Sequence, residues 1–218
     1  AESDQYKHIL PDYLLTYGSW WSKQSNLPIP KVKIGNPFRE LSLKKMVNKP
    51  HKRKQILILG DGYETSLYLD LSQKVLELVA LEDVDVLFRP HPIEKANVTD
   101  EILPSGVILD LCQDIYESLT NSILVISELS TGLFEAIGIA DNILMWETEK
   151  ARFMFPDILF DTFDSYDELK IYIDKIFNAH TAKSNVNLPE YWESNWEDNL
   201  FQFIEMLISN KNSEGENI

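Results

Sequence analysis

Three short stretches combine residue types that can grip an anion. The first is Arg89-Pro90-His91-Pro92. A histidine held between two prolines has little backbone freedom. Its imidazole can donate to a phosphate oxygen and can take up charge near neutral pH. Arg89 can add a bidentate contact to the same group. A plain turn whose histidine meets only solvent or a carbonyl would use the same residues.

The second stretch, Ser127-Glu128-Leu129-Ser130-Thr131-Gly132, reads as a strand end passing into a helix start. The first amides of a helix lack internal partners, and with the helix dipole they form an anion site. Ser130 and Thr131 add hydroxyls, and Gly132 lets a ligand approach the backbone. Ordinary helix capping draws on the same residue types. Glu135 follows Thr131 by four positions, so the two share a helix face about 6 Å apart along the axis. With a phosphate at Thr131, Glu135 would meet ribose hydroxyls.

The third stretch, Gly60-Asp61-Gly62-Tyr63-Glu64-Thr65-Ser66, follows an apolar run. It is neither a Walker loop nor GxGxxG, because Glu64 and Thr65 stand where the last glycine would fall. It reads as a loop that brings backbone amides near a phosphate, with Gly62 and Thr65 as its candidates. Other chemistries lack their residues. There is no Gly-x-Ser-x-Gly elbow, and His8, His51, His91 and His180 show no metal-ligand spacing. Cys112 has no nucleophile motif around it and reads as a small buried hydrophobe.

These stretches need elements to position them. Strands are expected at Tyr13–Tyr17, Gln55–Leu59, Val84–Phe88, Gly106–Leu109, Ile123–Ile126 and Ile143–Trp146. Leu67, Leu71, Val75, Leu78 and Val79 mark one face of a helix capped by Thr65 or Ser66. Further helices are expected over Asp114–Leu119, from Thr131 to about Ile139, and over Tyr166–Phe177. Trp192, Trp196, Leu200, Phe203 and Leu207 predict one long C-terminal helix. Strands apolar on both faces, alternating with helices, indicate α/β architecture: a doubly wound, Rossmann-like parallel sheet. Such sheets bind ligands beyond the C-terminal strand ends, where all three stretches fall. The expected organisation is a residual N-terminal or interdomain segment over 1–36, a nucleotide-sugar-binding domain over 37–180, a docking helix within 181–210 after a connecting loop over 181–190, and a disordered tail over 211–218.

Composition narrows the partners. A net charge of −15 repels a phosphate backbone, so nucleic acid is not an expected partner. The basic residues Lys44, Lys45, Lys49, Lys52, Arg53 and Lys54 do cluster. They suit a solvated linker, or contact with an anionic acceptor, a lipid surface or a partner domain. A single cysteine forbids an intramolecular disulfide, and no apolar run reaches about 18 residues, the length of a membrane span.

The order Tyr17-Gly18, Gly35-Asn36-Pro37, Arg89-Pro90-His91-Pro92 and Ser130-Thr131-Gly132-Leu133-Phe134-Glu135-Ala136 resembles the C-terminal domain of two-domain glycosyltransferases of GT-B architecture. Within them it is similar to bacterial surface-polysaccharide enzymes: capsule and lipooligosaccharide sialyltransferases, Kdo transferases and CDP-polyol phosphotransferases. The resemblance covers about residues 12–150 and the C-terminal helix, and it departs at Leu129, where the family often has serine.

It implies that His91 contacts the donor phosphate and stabilises the leaving nucleotide, that Ser130 and Thr131 bind the same phosphate, and that Glu135 contacts ribose or base. It implies no metal or other cofactor, a nucleotide-sugar donor such as CMP-linked sialic acid or Kdo, and a glycan or lipid-linked acceptor. The setting it implies is cytoplasmic, at the inner face of the membrane. The general base of such enzymes comes from an N-terminal domain. Too few residues precede Gln55 for that domain, so the chain is expected to bind nucleotide without turnover unless a missing domain or partner subunit supplies the base. Other readings stay open: a non-catalytic nucleotide-sugar-binding subunit docking through Trp20, Trp21, Trp192 and Trp196, a sugar-nucleotide epimerase, and a Rossmann-like interaction domain without ligand.

Overall fold

The apolar runs form strands of one parallel sheet. The computed structural model describes residues 9–46, 54–155, 160–179 and 188–215. The first half of the chain gives β1 (Leu14–Thr16), α1 (Ser19–Gln24), β2 (Lys31–Lys33), α2 (Pro37–Met46), β3 (Gln55–Leu59), α3 (Thr65–Leu78), β4 (Asp85–Arg89) and β5 (Ile108–Leu109). The second half gives α4 (Ile115–Thr120), β6 (Ser122–Ser127), α5 (Gly132–Ala136), β7 (Ile143–Trp146), α6 (Glu149–Met154), β8 (Asp161–Phe163), α7 (Tyr166–Ala179), α8 (Leu188–Tyr191) and α9 (Trp196–Gly215).

The chain divides into two compact units, residues 45–186 and residues 1–44 with 187–218. The larger unit holds a six-stranded sheet of order β5-β4-β3-β6-β7-β8, with every neighbouring pair parallel. This is the strand order of doubly wound dinucleotide-binding folds, and its direction of winding reverses between β3 and β6. Both strands are sealed on two faces: Ile56, Leu57, Ile58, Leu124, Val125 and Ile126 are each 0% exposed. That burial is why their sequences are continuous apolar runs rather than alternating ones. Tyr68, Leu71 and Val75 of α3 and Leu169 and Ile173 of α7 complete the same core. β8 was not expected; it is an edge strand in which only Phe163 is buried.

Several boundaries differ from expectation. α5 stops at Ala136 rather than near Ile139, because Ile137 turns extended (ψ 122) and Gly138 takes φ +74. Trp192 does not belong to the C-terminal helix. Asn195 adopts φ +63, and the Glu193 amide donates to the Tyr17 carbonyl at 2.7 Å, so α8 and α9 are separate. α8 itself lies where a connecting loop was expected, and α9 continues to Gly215, into the expected tail.

In the smaller unit β1 pairs in parallel with β2. α2 groups with this unit up to Lys44 rather than with the sheet. Arg39 lies over the Trp192 ring at 5.0 Å, and Glu40 accepts from the Trp196 amide at 3.2 Å, so the boundary expected at 36/37 falls later. Trp20, Trp21, Tyr191 and Trp192 pack on one another, and Trp21 donates to the Tyr191 carbonyl at 2.9 Å. These rings form one aromatic cluster in which Tyr191 and Trp192 are buried and Trp20 and Trp21 half-buried. Of the basic run, Lys49, Lys52 and Arg53 lie outside the described residues. Among the described residues no helix is long and apolar enough to cross a membrane.

Candidate functional site

All three stretches emerge at the C-terminal edge of the large sheet. β4 and β6 flank β3 on its two sides, so the His91 and Ser130 turns start about 10 Å apart, two strand spacings. Both then lean toward the end of β3. Gly62, just past β3, has φ +88. A Cβ added there would lie 2.9 Å from His91 Nδ1, so the imidazole rests directly on this glycine. From the other side, a Cβ on Gly132 would lie 2.6 Å from Leu59 Cδ1, on the last residue of β3. Ser127, wholly buried, ties the two strands by donating to the Leu59 carbonyl at 2.8 Å.

A carboxylate absent from the sequence reading sets the histidine. Glu94, 5% exposed, accepts from the His91 amide at 2.8 Å, and the Thr65 hydroxyl donates to its other oxygen. A Cβ on Gly60 would meet Glu94 Oε1 at 2.2 Å, so a side chain there would displace this carboxylate from its present contacts. Glu94 thus joins the His91 turn to the start of α3. It also explains why neither Thr65 nor Ser66 caps α3: the helix begins at Thr65, the N-cap is Glu64 without a side-chain bond, and the Thr65 hydroxyl is drawn to Glu94. His91 Nδ1 accepts from the Ile93 amide at 3.3 Å. In the neutral ring the proton then sits on Nε2, a donor with no partner among the described residues.

Arg89 is held elsewhere. Its Nη1 donates to Asp110 Oδ2 at 2.7 Å and to the Cys112 carbonyl at 2.9 Å, and Asp110 is 3% exposed. This ion pair locks the end of β4 to the segment after β5. Cys112 is half-buried rather than buried. Burial first, then the charge of Asp110, pushes its thiol up, against a lowering bond from Ser118.

At the second turn the capping and anion readings divide between neighbours. Ser130 caps: its Oγ accepts from the Gly132 amide at 3.2 Å. Its own amide points at Ser127 Oγ, 3.4 Å away. Thr131 does not cap with its side chain. It is exposed, and among the described residues neither its amide nor its hydroxyl donates to a protein acceptor. α5 spans five residues, too few for a large macrodipole, so any anion here meets individual donors. The Glu135 amide bonds the Thr131 carbonyl at 3.3 Å, which confirms that the two share a turn. The Glu135 carboxylate accepts from the hydroxyl of Tyr116, itself 1% exposed.

Sequence reasoning also missed a charged cluster beside Gly62. Lys150 of α6 reaches Asp61 and Glu64 from the loop after β3 and Glu128 after β6. Burial raises the Asp61 carboxyl, but its bonds from Lys150 and from the Tyr63 and Glu64 amides outweigh it and hold the group below its ordinary range. Burial alone would lower Lys150; the bonds to Asp61 and Glu64 and the charge of Glu128 push it above the usual lysine range instead.

Comparison with known proteins adds the fold. No family profile matches the sequence, and no curated protein does. Solved structures match. The wall teichoic acid polymerase TagF, a variant soaked with CDPG, superposes with a TM-score of 0.60 at 16% identity over 94% of this chain and 58% of that one. The spinosyn forosaminyltransferase SpnP gives 0.57 at 14% identity over 92% and 56%. The UDP-GlcNAc 2-epimerase of Methanocaldococcus jannaschii, in complex with UDP-GlcNAc and UDP, gives 0.53 at 11% identity over 81% and 55%. The chain therefore spans less than two thirds of each of these proteins. The likeness establishes the fold: half of a GT-B architecture, with a Rossmann-like sheet.

Proposed function

We propose that residues 45–186 bind the nucleotide of an activated donor, as part of a glycosyltransferase. The convergence of two turns on the end of β3 carries this reading. One presents the Nε2 donor of His91, braced on Gly62. The other presents the amide and hydroxyl of Thr131. They lie at the switch point of the sheet, where doubly wound folds bind ligands. In this reading His91 and Thr131 grip the donor phosphates, and Ser130 and Gly132 shape the turn. Glu135 meets the ribose, Gly62 and Thr65 set the floor, and Arg89 holds the wall through Asp110. His91 stabilises charge on the departing phosphate. The general base, the glycan or lipid-linked acceptor, and the further domain or partner subunit that supplies the base belong to the same proposal.

The finer reading is a CMP-linked sugar, sialic acid or Kdo, passed to a surface polysaccharide or lipooligosaccharide. The likeness to TagF soaked with CDPG favours a second one, transfer of a CDP-linked polyol phosphate. Titration of the protein with CMP, CDP and UDP tests both. Saturable binding that weakens about 10-fold or more in His91→Ala, equivalent to ~1.4 kcal/mol, is the expected result, and the preferred nucleotide decides the donor class. Absence of saturable binding to all three by well-folded protein refutes the proposal. Interconversion of donor sugars without transfer would instead assign an epimerase.

A further inference from the structure

One charged cluster is unused by the donor-site reading. Lys150 Nζ lies 2.8 Å from Asp61 Oδ2, 3.0 Å from Glu64 Oε2 and 3.5 Å from Glu128 Oε2. One oxygen of each carboxylate lies within 4.8 Å of the others, a spacing that can hold a metal ion. The ammonium occupies the middle of that set. It brings three N–H donors to three carboxylates, where an oxygen-only ligand set would suit a hard divalent cation.

Two features separate this from an ordinary surface ion pair, which contributes little. The Asp61 and Glu128 side chains are only 3% and 2% exposed, and buried carboxylates need a counter-charge. Glu128 Oε2 is moreover buried without any hydrogen bond, which leaves Lys150 as its countering charge. The Thr148 hydroxyl bonds the other Glu128 oxygen while accepting from the Ala151 amide at 3.1 Å. The first turn of α6, which carries Lys150, is thereby keyed to Glu128.

The connection reaches the donor site. β3, β6 and β7 are neighbours in the sheet, and the ammonium links the segments that follow all three. Asp61 Oδ1 accepts from the Tyr63 and Glu64 amides at 2.9 and 3.2 Å, so the pull of Lys150 on Oδ2 fixes the whole turn. Gly62, in the middle of that turn, backs onto His91.

We propose that Lys150 is a positioning residue whose ammonium is a built-in cation, filling a site that would otherwise take a divalent ion and setting the Gly60–Glu64 turn against His91. The second half rests on the donor-site reading; the first half stands without it.

The test uses Lys150→Met, which keeps the aliphatic stem and removes the charge. Thermal unfolding is followed without nucleotide, with and without millimolar manganese(II) or calcium. The variant is expected to melt several degrees below wild type and to recover at least half of that loss in either ion, since a ligand of the folded state alone stabilises it. Wild type is expected to stay unmoved by both ions, and the double variant Lys150→Met/Glu128→Gln not to recover. Nucleotide affinity should fall about 10-fold in Lys150→Met and return with the ion. That return is a readout which loss of packing alone would not produce.

An unchanged melting temperature in Lys150→Met, loss without metal recovery, or equal metal stabilisation of wild type overturns the proposal. Should the variant be insoluble, expression with manganese decides: recovery of folded protein supports the built-in cation, and continued insolubility overturns it. If wild type binds no nucleotide, the donor-site reading fails alone, and the metal response still judges Lys150.

Discussion

The side chain whose removal most directly tests the site's construction is Glu94. Its carboxylate receives the His91 amide at 2.8 Å and the Thr65 hydroxyl, and it is 5% exposed. Truncation in Glu94→Ala strands both donors. The His91 amide is fixed by its turn and costs about 1–3 kcal/mol when left unpaired in a buried setting. The half-buried Thr65 hydroxyl can rotate toward water, so its share is about 0.5–1 kcal/mol. The sum, about 1.5–4 kcal/mol, corresponds to roughly 3–16 °C in Tm at ~2–4 °C per kcal/mol for domains of 150–250 residues.

Glu94→Gln is the control. Its carbonyl oxygen can still accept from His91, and its amide can donate to Thr65 Oγ1, so the loss should stay below about 1 kcal/mol. Calorimetric unfolding of the three proteins gives the stability series, and nucleotide titration gives its functional counterpart. Glu94→Ala should weaken nucleotide binding about 10-fold, because the turn that aims His91 loses its tether. A Glu94→Ala protein that melts within about 1 °C of wild type would refute the role given to this carboxylate. A Glu94→Gln protein that loses as much as Glu94→Ala would show that charge, rather than the two acceptor contacts, is what matters.

Gly62→Ala places a Cβ at φ +88 and 2.9 Å from His91 Nδ1; the backbone strain is about 1–2 kcal/mol, and nucleotide affinity should fall further than stability because the ring must move. Comparing the change in Kd with the change in Tm checks this, and an affinity loss no larger than the stability loss counts against the packing of His91 on Gly62. Asp61 is held below the ordinary carboxylate range, so its stabilising contribution is fully present above about pH 4 and disappears as pH falls through the lowered value. Acid titration of stability should therefore be shallower in Lys150→Met than in wild type; identical acid limbs would contradict the pairing. The thiol of Cys112 is pushed up by burial and by Asp110, so alkylation at neutral pH should be slower than for a cysteine in an unstructured peptide, a comparison that timed reaction with iodoacetamide settles.

The parts of the fold legible in the sequence are those whose signal is local. β3, β6 and β7 are sealed on both faces and so read as continuous apolar runs. The Leu71 and Val75 face of α3 follows the helical period. Where the signal is a mixture of charge and packing, it fades. β2 is Lys31-Val32-Lys33, and β8 offers Asp161 and Thr162 before its one buried residue. α6 had a readable start in Thr148 followed by Glu149, a capping residue and a first-turn acid. The C-terminal stripe failed for a different reason. The spacing from Trp192 to Trp196 fits a helix, but the left-handed Asn195 lies between them, and only the bond from Glu193 to Tyr17 shows what bends the chain there. The turns bearing His91 and Ser130 were legible because strand ends in a parallel sheet are where ligand loops must be. Glu94, Glu128 and Lys150 were not, because their meaning lies in partners that no periodicity brings together. Lys150 and Asp61 stand 89 positions apart.

Those unseen partners bear on how the proposed donor site would meet an anion. Two cations near the rim of the sheet have their charge met from within: Nη1 of Arg89 by Asp110, and Lys150 by three carboxylates. Neither is a spare positive charge for a ligand. In the proposed donor site an anion would meet neutral donors, the Nε2 of His91 and the amide and hydroxyl of Thr131, as in other anion sites lined by backbone N–H groups. These act only at contact distance, whereas the repulsion from a net charge of −15 acts over a Debye length of about 8–10 Å. The two ranges select by size. A single nucleotide brings one or two phosphates to the donors and little else near the acidic surface. A polyanion would have to carry many charges through that field to deliver the same contact, so on the proposed reading the site favours a nucleotide over a nucleic acid.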